Sequence, residues 1–190
     1  TEAFETDLKL SPKGNYISFI REQNLYIRNI ESGEETAVTQ QGGGDIKYAM
    51  AEFVAQEEMS RLSGYWWSPD EKQIAFTRVD ESPVEIITRS EIYADSITLI
   101  EQKYPLAGTN NVEVSLAVQN IETNKRTWID LGDDKDIYLT RGKWAKDAKH
   151  FTYQIQSRNQ QSLVLFAYDT NQQISKPLIT ENSDTWVNLH

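Results

Sequence analysis

Apolar and polar residues alternate through short stretches of this chain, and the stretches recur. Tyr16-Ile17-Ser18-Phe19 follows the polar turn Ser11-Pro12-Lys13-Gly14-Asn15, and Ile74-Ala75-Phe76 follows Ser68-Pro69-Asp70-Glu71-Lys72-Gln73. A weaker third copy runs from Ala145 to Tyr153. Period-two alternation predicts half-buried strands, and the Pro, Asp and Gly positions predict the tight turns before them. A second element follows each copy: Leu25-Tyr26-Ile27-Arg28-Asn29, then Leu116-Ala117-Val118-Gln119-Asn120, then Leu165-Phe166-Ala167-Tyr168-Asp169. Each ends in a polar turn and restarts as a strand, at Thr36-Ala37-Val38, at Arg126-Thr127-Trp128-Ile129 and at Lys176-Pro177-Leu178-Ile179.

Hairpin, turn, hairpin, repeated in this way, predicts the four-stranded antiparallel blades of a β-propeller. The expected fold class is therefore all-β, a fragment of about three blades with one inserted helix. Blade 1 is expected over about 7–40, blade 2 over about 64–132, blade 3 over about 138–180, and the start of a further blade at 185–190. About four blades are the minimum for a closed ring, so this one is incomplete.

Spacing locates two insertions. The first-element copies begin at Ser11 and Ser68, 57 residues apart, against roughly 40–50 for an ordinary blade. The surplus falls between Gln40 and Ser63. Inside blade 2, Ser68 to Leu116 spans 48 residues where Ser11 to Leu25 spans 14, which places an extended arm at about 83–104. Insertions on a repeat scaffold are where function is grafted.

The first insertion has helical spacing. Tyr48, Ala51, Ala55, Met59 and Leu62 recur at threes and fours, predicting a helix over 46–62 with Asp45 as its N-cap and Gly64 just past its end. Glu57 and Glu58 lie off the middle of that stripe. Two carboxylates about 4 Å apart repel by about 4 kcal/mol at an effective dielectric near 20, and a bound ammonium relieves that repulsion. Spacing alone favours a solvated acidic face, with Glu57 paired to Arg61 one turn on, because Glu-Glu pairs on helices are common.

Composition narrows the function classes. The net charge of −10, with no Lys/Arg cluster, excludes a nucleic-acid surface. There is no cysteine, hence neither a disulfide nor a thiolate nucleophile. The absence of Cys and of glycosylation sequons favours a bacterial periplasm or cytoplasm. No apolar run reaches the roughly 18 residues of a membrane span, and the opening residues Thr1-Glu2-Ala3-Phe4-Glu5 do not read as a signal peptide.

The stretch from Glu52 through Gln56-Glu57-Glu58-Met59-Ser60-Arg61 to Gly64-Tyr65-Trp66-Trp67-Ser68-Pro69-Asp70 resembles the glutamate-helix segment of the dipeptidyl peptidase IV family. The resemblance continues through Thr77-Arg78-Val79-Asp80-Glu81-Ser82-Pro83-Val84 and Arg89-Ser90-Glu91-Ile92-Tyr93, and resumes at Lys103-Tyr104-Pro105-Leu106-Ala107-Gly108-Thr109-Asn110. It implies that Glu57 and Glu58 bind the free α-amino group of a peptide substrate, with Arg61 supporting them by orienting a glutamate. It also implies release of N-terminal dipeptides with Pro or Ala second, by a Ser-Asp-His triad in a C-terminal α/β-hydrolase domain outside this chain. A homodimer contact through the arm, and a further substrate-binding arginine from an earlier part of the propeller, complete what the family pattern implies.

The catalytic machinery is not in these residues. No G-x-S-x-G elbow occurs, and the histidines are His150, in a polar turn, and His190. Neither a zinc set nor a calcium loop is spelled out, since Asp133-Asp134-Lys135-Asp136 lacks the glycine and final Glu. No cofactor is expected. Alternatives are a non-enzymatic protein-binding propeller, or the propeller of a prolyl tripeptidyl or acylaminoacyl peptidase. The glutamate pair argues against an acylated amino-terminus, which carries no charge. Trp66 and Trp67, as neighbours in a strand, are expected to face opposite sides.

Overall fold

The polar turns of the repeats are built by their own side chains. In the computed structural model, which describes residues 4–189, Ser11 Oγ accepts from Tyr16 N–H and Ser68 Oγ from Gln73 N–H, each at 2.9 Å. The third copy has Ala145 there, and Asp147 instead accepts from the Lys149 and His150 amides. Asn29, Asn120 and Asp169, which close each second element, accept from amides two or three residues on. These local bonds explain why the repeat is readable: each uses a short polar side chain to turn the backbone.

Three antiparallel sheets result. The first is β1 (Glu5–Leu10), β2 (Tyr16–Arg21), β3 (Asn24–Asn29) and β4 (Glu35–Ala37), in that order. The third is β12 (Ile137–Trp144), β13 (His150–Ser157), β14 (Ser162–Asp169) and β15 (Ile174–Asn182), also in order. In the second, β10 (Glu113–Asn120) lies between β11 (Arg126–Ile129) and β7 (Gln73–Asp80). The first-strand position there is shared by β5 (Ile46–Tyr48) and β6 (Tyr65–Trp67), which lie end to end along β7. Residues 185–189 form no strand, and residue 190 lies outside the described residues.

Both faces of the central sheet are buried, and parity decides which neighbour each residue meets. On β7, Ile74 and Phe76 pack toward the first sheet with Ile20, Leu25 and Ile27. Ala75 and Val79 pack toward the third with Leu139, Trp144 and Phe151. The tryptophans follow the same rule. Trp67 stacks on Tyr16 at 5.5 Å and donates to Ser18 Oγ, whereas Trp66 packs on Phe151 at 5.5 Å and accepts at its carbonyl from Trp144 Nε1. Each Trp is a spacer between blades.

The arm is a hairpin, β8 (Ile86–Ile92) and β9 (Ile97–Lys103), growing from the turn between β7 and β10. Its pairing puts Ile86, Ile92, Ile97 and Leu99 on one face, and all four are exposed.

The helix expected over 46–62 is corrected by the structure. Ile46–Tyr48 is a strand, and α1 covers only Phe53–Glu57. Its N-cap is Glu52, not Asp45, and Gly64 lies beyond a left-handed turn already made at Ser60, φ 54°. Leu62, expected on the buried stripe, is exposed. The reason is non-local: β5 completes the open edge of β7 at Arg78, Val79 and Asp80, a ladder that helical spacing within 46–62 does not reveal.

Candidate functional site

Residues 50–63 loop out of the middle of a strand. At Thr77 the β7 ladder meets two chain segments at once: Ala49 N–H donates to Thr77 O at 2.7 Å, and Thr77 N–H donates to Gly64 O at 2.8 Å. Gly64 N–H donates to Ala49 O, so the loop is closed at its neck. The neck is tight. A Cβ on Gly64 would stand 2.4 Å from both Met50 O and Thr77 Oγ1, so only glycine fits. The helix therefore stands away from the first strand of its blade, carried on a strand that resumes with Tyr65.

Helix α1 has little stability of its own, since isolated helices this short are not stable in water. Tertiary contacts hold it. Ala55 and Met59 are buried, and Phe53 packs on Tyr104 at the base of the arm, 4.8 Å between ring centroids. Arg61 is buried and fully engaged: Nη2 meets Glu52, Nη1 donates to Ser63 O at 3.1 Å, and Nε donates to Leu139 O in β12 at 3.1 Å. From β12, Arg141 donates to Met59 O at 2.7 Å. On the other side, Lys9 of β1 bonds Ser63 Oγ and lies over the Tyr65 ring, 3.9 Å from its centre. Burial lowers the Lys9 pKa, with Asp7 opposing the shift. The segment is braced from both neighbouring blades.

Glu57 closes the helix and Glu58 is its C-cap, with its amide donating to Val54 O at 2.9 Å. Both side chains are exposed, and neither carboxylate has a hydrogen bond or ion pair among the described residues. Arg61 orients Glu52 and leaves Glu57 unpaired. Glu58, Met59, Arg141, Gln156 and Trp186 line a cavity of about 600 Å³. Glu58 lines this cavity and Glu57 does not; an unpaired carboxylate there can accept charge-assisted hydrogen bonds from a primary ammonium. Among the described residues no group of His, Cys, Asp and Glu could hold a metal ion.

The model of the dipeptidyl peptidase IV (DPP IV) N-terminal region matches residues 1–190. The chain belongs to this family. Dipeptidyl-aminopeptidase B of Aspergillus niger is 32% identical over 190 residues, covering 90% of this chain and 21% of that protein. Dipeptidyl aminopeptidase A of Saccharomyces cerevisiae is 31% identical over 166 residues, covering 84% of this chain and 17% of that protein. The chain thus spans about a fifth of the length of these curated relatives. The crystal structure of Porphyromonas gingivalis dipeptidyl peptidase 4 superposes with a TM-score of 0.89 over 96% of this chain and 26% of that one. At 24% identity that likeness speaks for the fold, a piece of the DPP IV-type N-terminal propeller.

Glu52, Arg141 and Lys9 had no local signal. Arg141 and Lys9 meet partners 82 and 54 residues away through pairings that the blade arrangement creates, and Glu52 meets Arg61 across the folded insertion, 9 residues on.

Proposed function

We propose that this chain is the amino-terminus-anchoring part of the propeller of a serine exopeptidase that releases N-terminal dipeptides with Pro or Ala second. The observation that carries the reading is the Glu57–Glu58 pair: exposed, without a hydrogen bond or ion pair among the described residues, and held on a braced segment where Glu58 lines a cavity. Two neighbouring carboxylates repel one another, and a cation bound between them relieves that repulsion. The names of the relatives, dipeptidyl aminopeptidases, agree with a peptide amine as that cation. Hydrolysis itself belongs to an α/β-hydrolase domain C-terminal to the propeller, as the family resemblance implies.

The arm supports a homodimer of the whole protein. Four exposed aliphatic side chains on one face of a two-stranded ribbon have no core of their own, and a second arm would cover them.

The test uses the full-length protein. Glu57→Gln and Glu58→Gln keep size and hydrogen-bonding capacity and remove one charge each. Losing a charged hydrogen bond of about 1.5–3 kcal/mol lowers kcat/KM about 10- to 150-fold for dipeptidyl substrates with a free amine. Acylated analogues, which carry no ammonium, should show no such dependence. Values within twofold of wild type for both variants would leave the pair as a solvated acidic face.

A further inference from the structure

A bulge in the third sheet meets the end of the glutamate helix. The β12–β13 pairing slips between Leu139 and Arg141, leaving Thr140 without a partner in the ladder. Bulges re-aim the side chains and carbonyls beside them. Here the Leu139 carbonyl receives Arg61 Nε, and one Nη of Arg141 donates both to the Thr140 carbonyl, at 2.9 Å, and to Met59 O, at 2.7 Å. Thr140 is itself buried, and its hydroxyl donates to Gln154 Oε1, so the bulge is a built feature of the core.

Met59 directly follows Glu58. Its carbonyl lies where the chain leaves the helix, just before the left-handed residue Ser60. Without a partner for that carbonyl, the exit from the helix is defined by the Glu58-to-Val54 and Arg61-to-Ala55 backbone bonds. Arg141 has no carboxylate partner among the described residues, and it lines the same cavity as Glu58. It therefore touches the glutamate segment at the residue that directly follows Glu58.

We propose that Arg141 is a positioning residue: through the Met59 carbonyl it holds Glu58 in the orientation that receives the substrate's amine, and so couples the third blade to the anchor on the second. The inference rests on the reading of Glu57 and Glu58 as that anchor. Arg141 is not a substrate ligand here; its effect runs through Glu58, and a brace for stability alone would not show that dependence.

The experiment is a double-mutant cycle in the full-length protein, read with a free-amine dipeptidyl substrate. Arg141→Gln should raise KM about tenfold with kcat within twofold of wild type. In the Glu58→Gln background the same change should alter KM less than about twofold, since the group it positions no longer carries the charge. Arg141→Lys keeps a cationic donor for one carbonyl and should lose less than about threefold. If Arg141→Gln does not fold, the lysine variant carries the cycle, with its smaller loss expected to vanish beside Glu58→Gln. A tenfold loss that persists in the Glu58→Gln background overturns the positioning role while leaving the anchor standing. So does an Arg141→Gln enzyme whose KM stays within twofold of wild type. A Glu58→Gln enzyme whose kcat/KM stays within twofold of wild type removes Glu58 from the anchor, and the inference goes with it.

Discussion

Arg61 and Glu52 form an ion pair at 2.5 Å whose side chains are only 5% and 2% exposed. Glu52 is the N-cap of α1 but does not cap the helix with its side chain. Its carboxylate turns instead to Arg61 and ties both ends of the insertion together. Breaking a buried pair by removing one partner costs about 3–5 kcal/mol, because the other charge stays buried alone. Glu52→Ala should therefore open residues 50–63, with the blade behind them retained. Limited proteolysis within that segment should accelerate by about 100-fold or more. A cleavage rate unchanged from wild type would mean that the apolar contacts of Ala55 and Met59 suffice.

Gly64→Ala probes the neck of the same insertion. The added methyl would meet Met50 O and Thr77 Oγ1 at 2.4 Å, and backbone cannot give way without breaking the Ala49–Thr77–Gly64 bonds. Overpacking of this kind costs about 1–3 kcal/mol. The expected result is a lower thermal midpoint, measured by calorimetry, with poorer binding of free-amine peptides. A variant as stable as wild type would show that the neck is more plastic than its hydrogen bonds suggest.

Ile97→Glu combined with Leu99→Glu tests the arm. The two side chains are each 66% exposed on its apolar face, so charges there cost the monomer little. In the full-length protein, sedimentation velocity should shift from dimer to monomer with the circular dichroism spectrum unchanged. A dimer that survives the double substitution places the subunit contact elsewhere.

His150 offers a pH readout. Its Nδ1 lies 2.6 Å from Asp147 Oδ2, and this hydrogen bond, with the Lys149 and His150 amides, lowers the Asp147 pKa to about 2. A lowered carboxylate pKa stabilises the folded state above the ordinary carboxylate value of about 3.9. That contribution is lost as the pH falls toward 2. Carboxyl NMR titration should place the Asp147 midpoint near 2, and His150→Ala should move it up toward about 3.9. A midpoint that stays put without the imidazole would assign the effect to the backbone amides.

The repeat was legible because its turns are local. Ser11, Ser68, Asn29, Asn120 and Asp169 bond amides two to five residues away, so their spacing writes the turns directly into the sequence. The glutamate pair was legible through the resemblance of its flanking residues, but the length of the helix beneath it was not. Tyr48 and Ala51 are buried as helical spacing predicts, yet Tyr48 is buried on a strand, where the same apolar residue satisfies either geometry.

The sequence by itself determined the strands beside the repeated turns, those turns, the two insertions and the presence of adjacent carboxylates, because alternation and turn chemistry act over a few residues. Only the tertiary structure decided that a broken first strand carries the insertion, and that Glu52 rather than Glu57 takes Arg61. It also decided that a bulge on the next blade brings Arg141 to Met59. Those outcomes depend on which backbone edges and buried charges meet when blades pack side by side. Such contacts join residues far apart in the chain, and no local period records them.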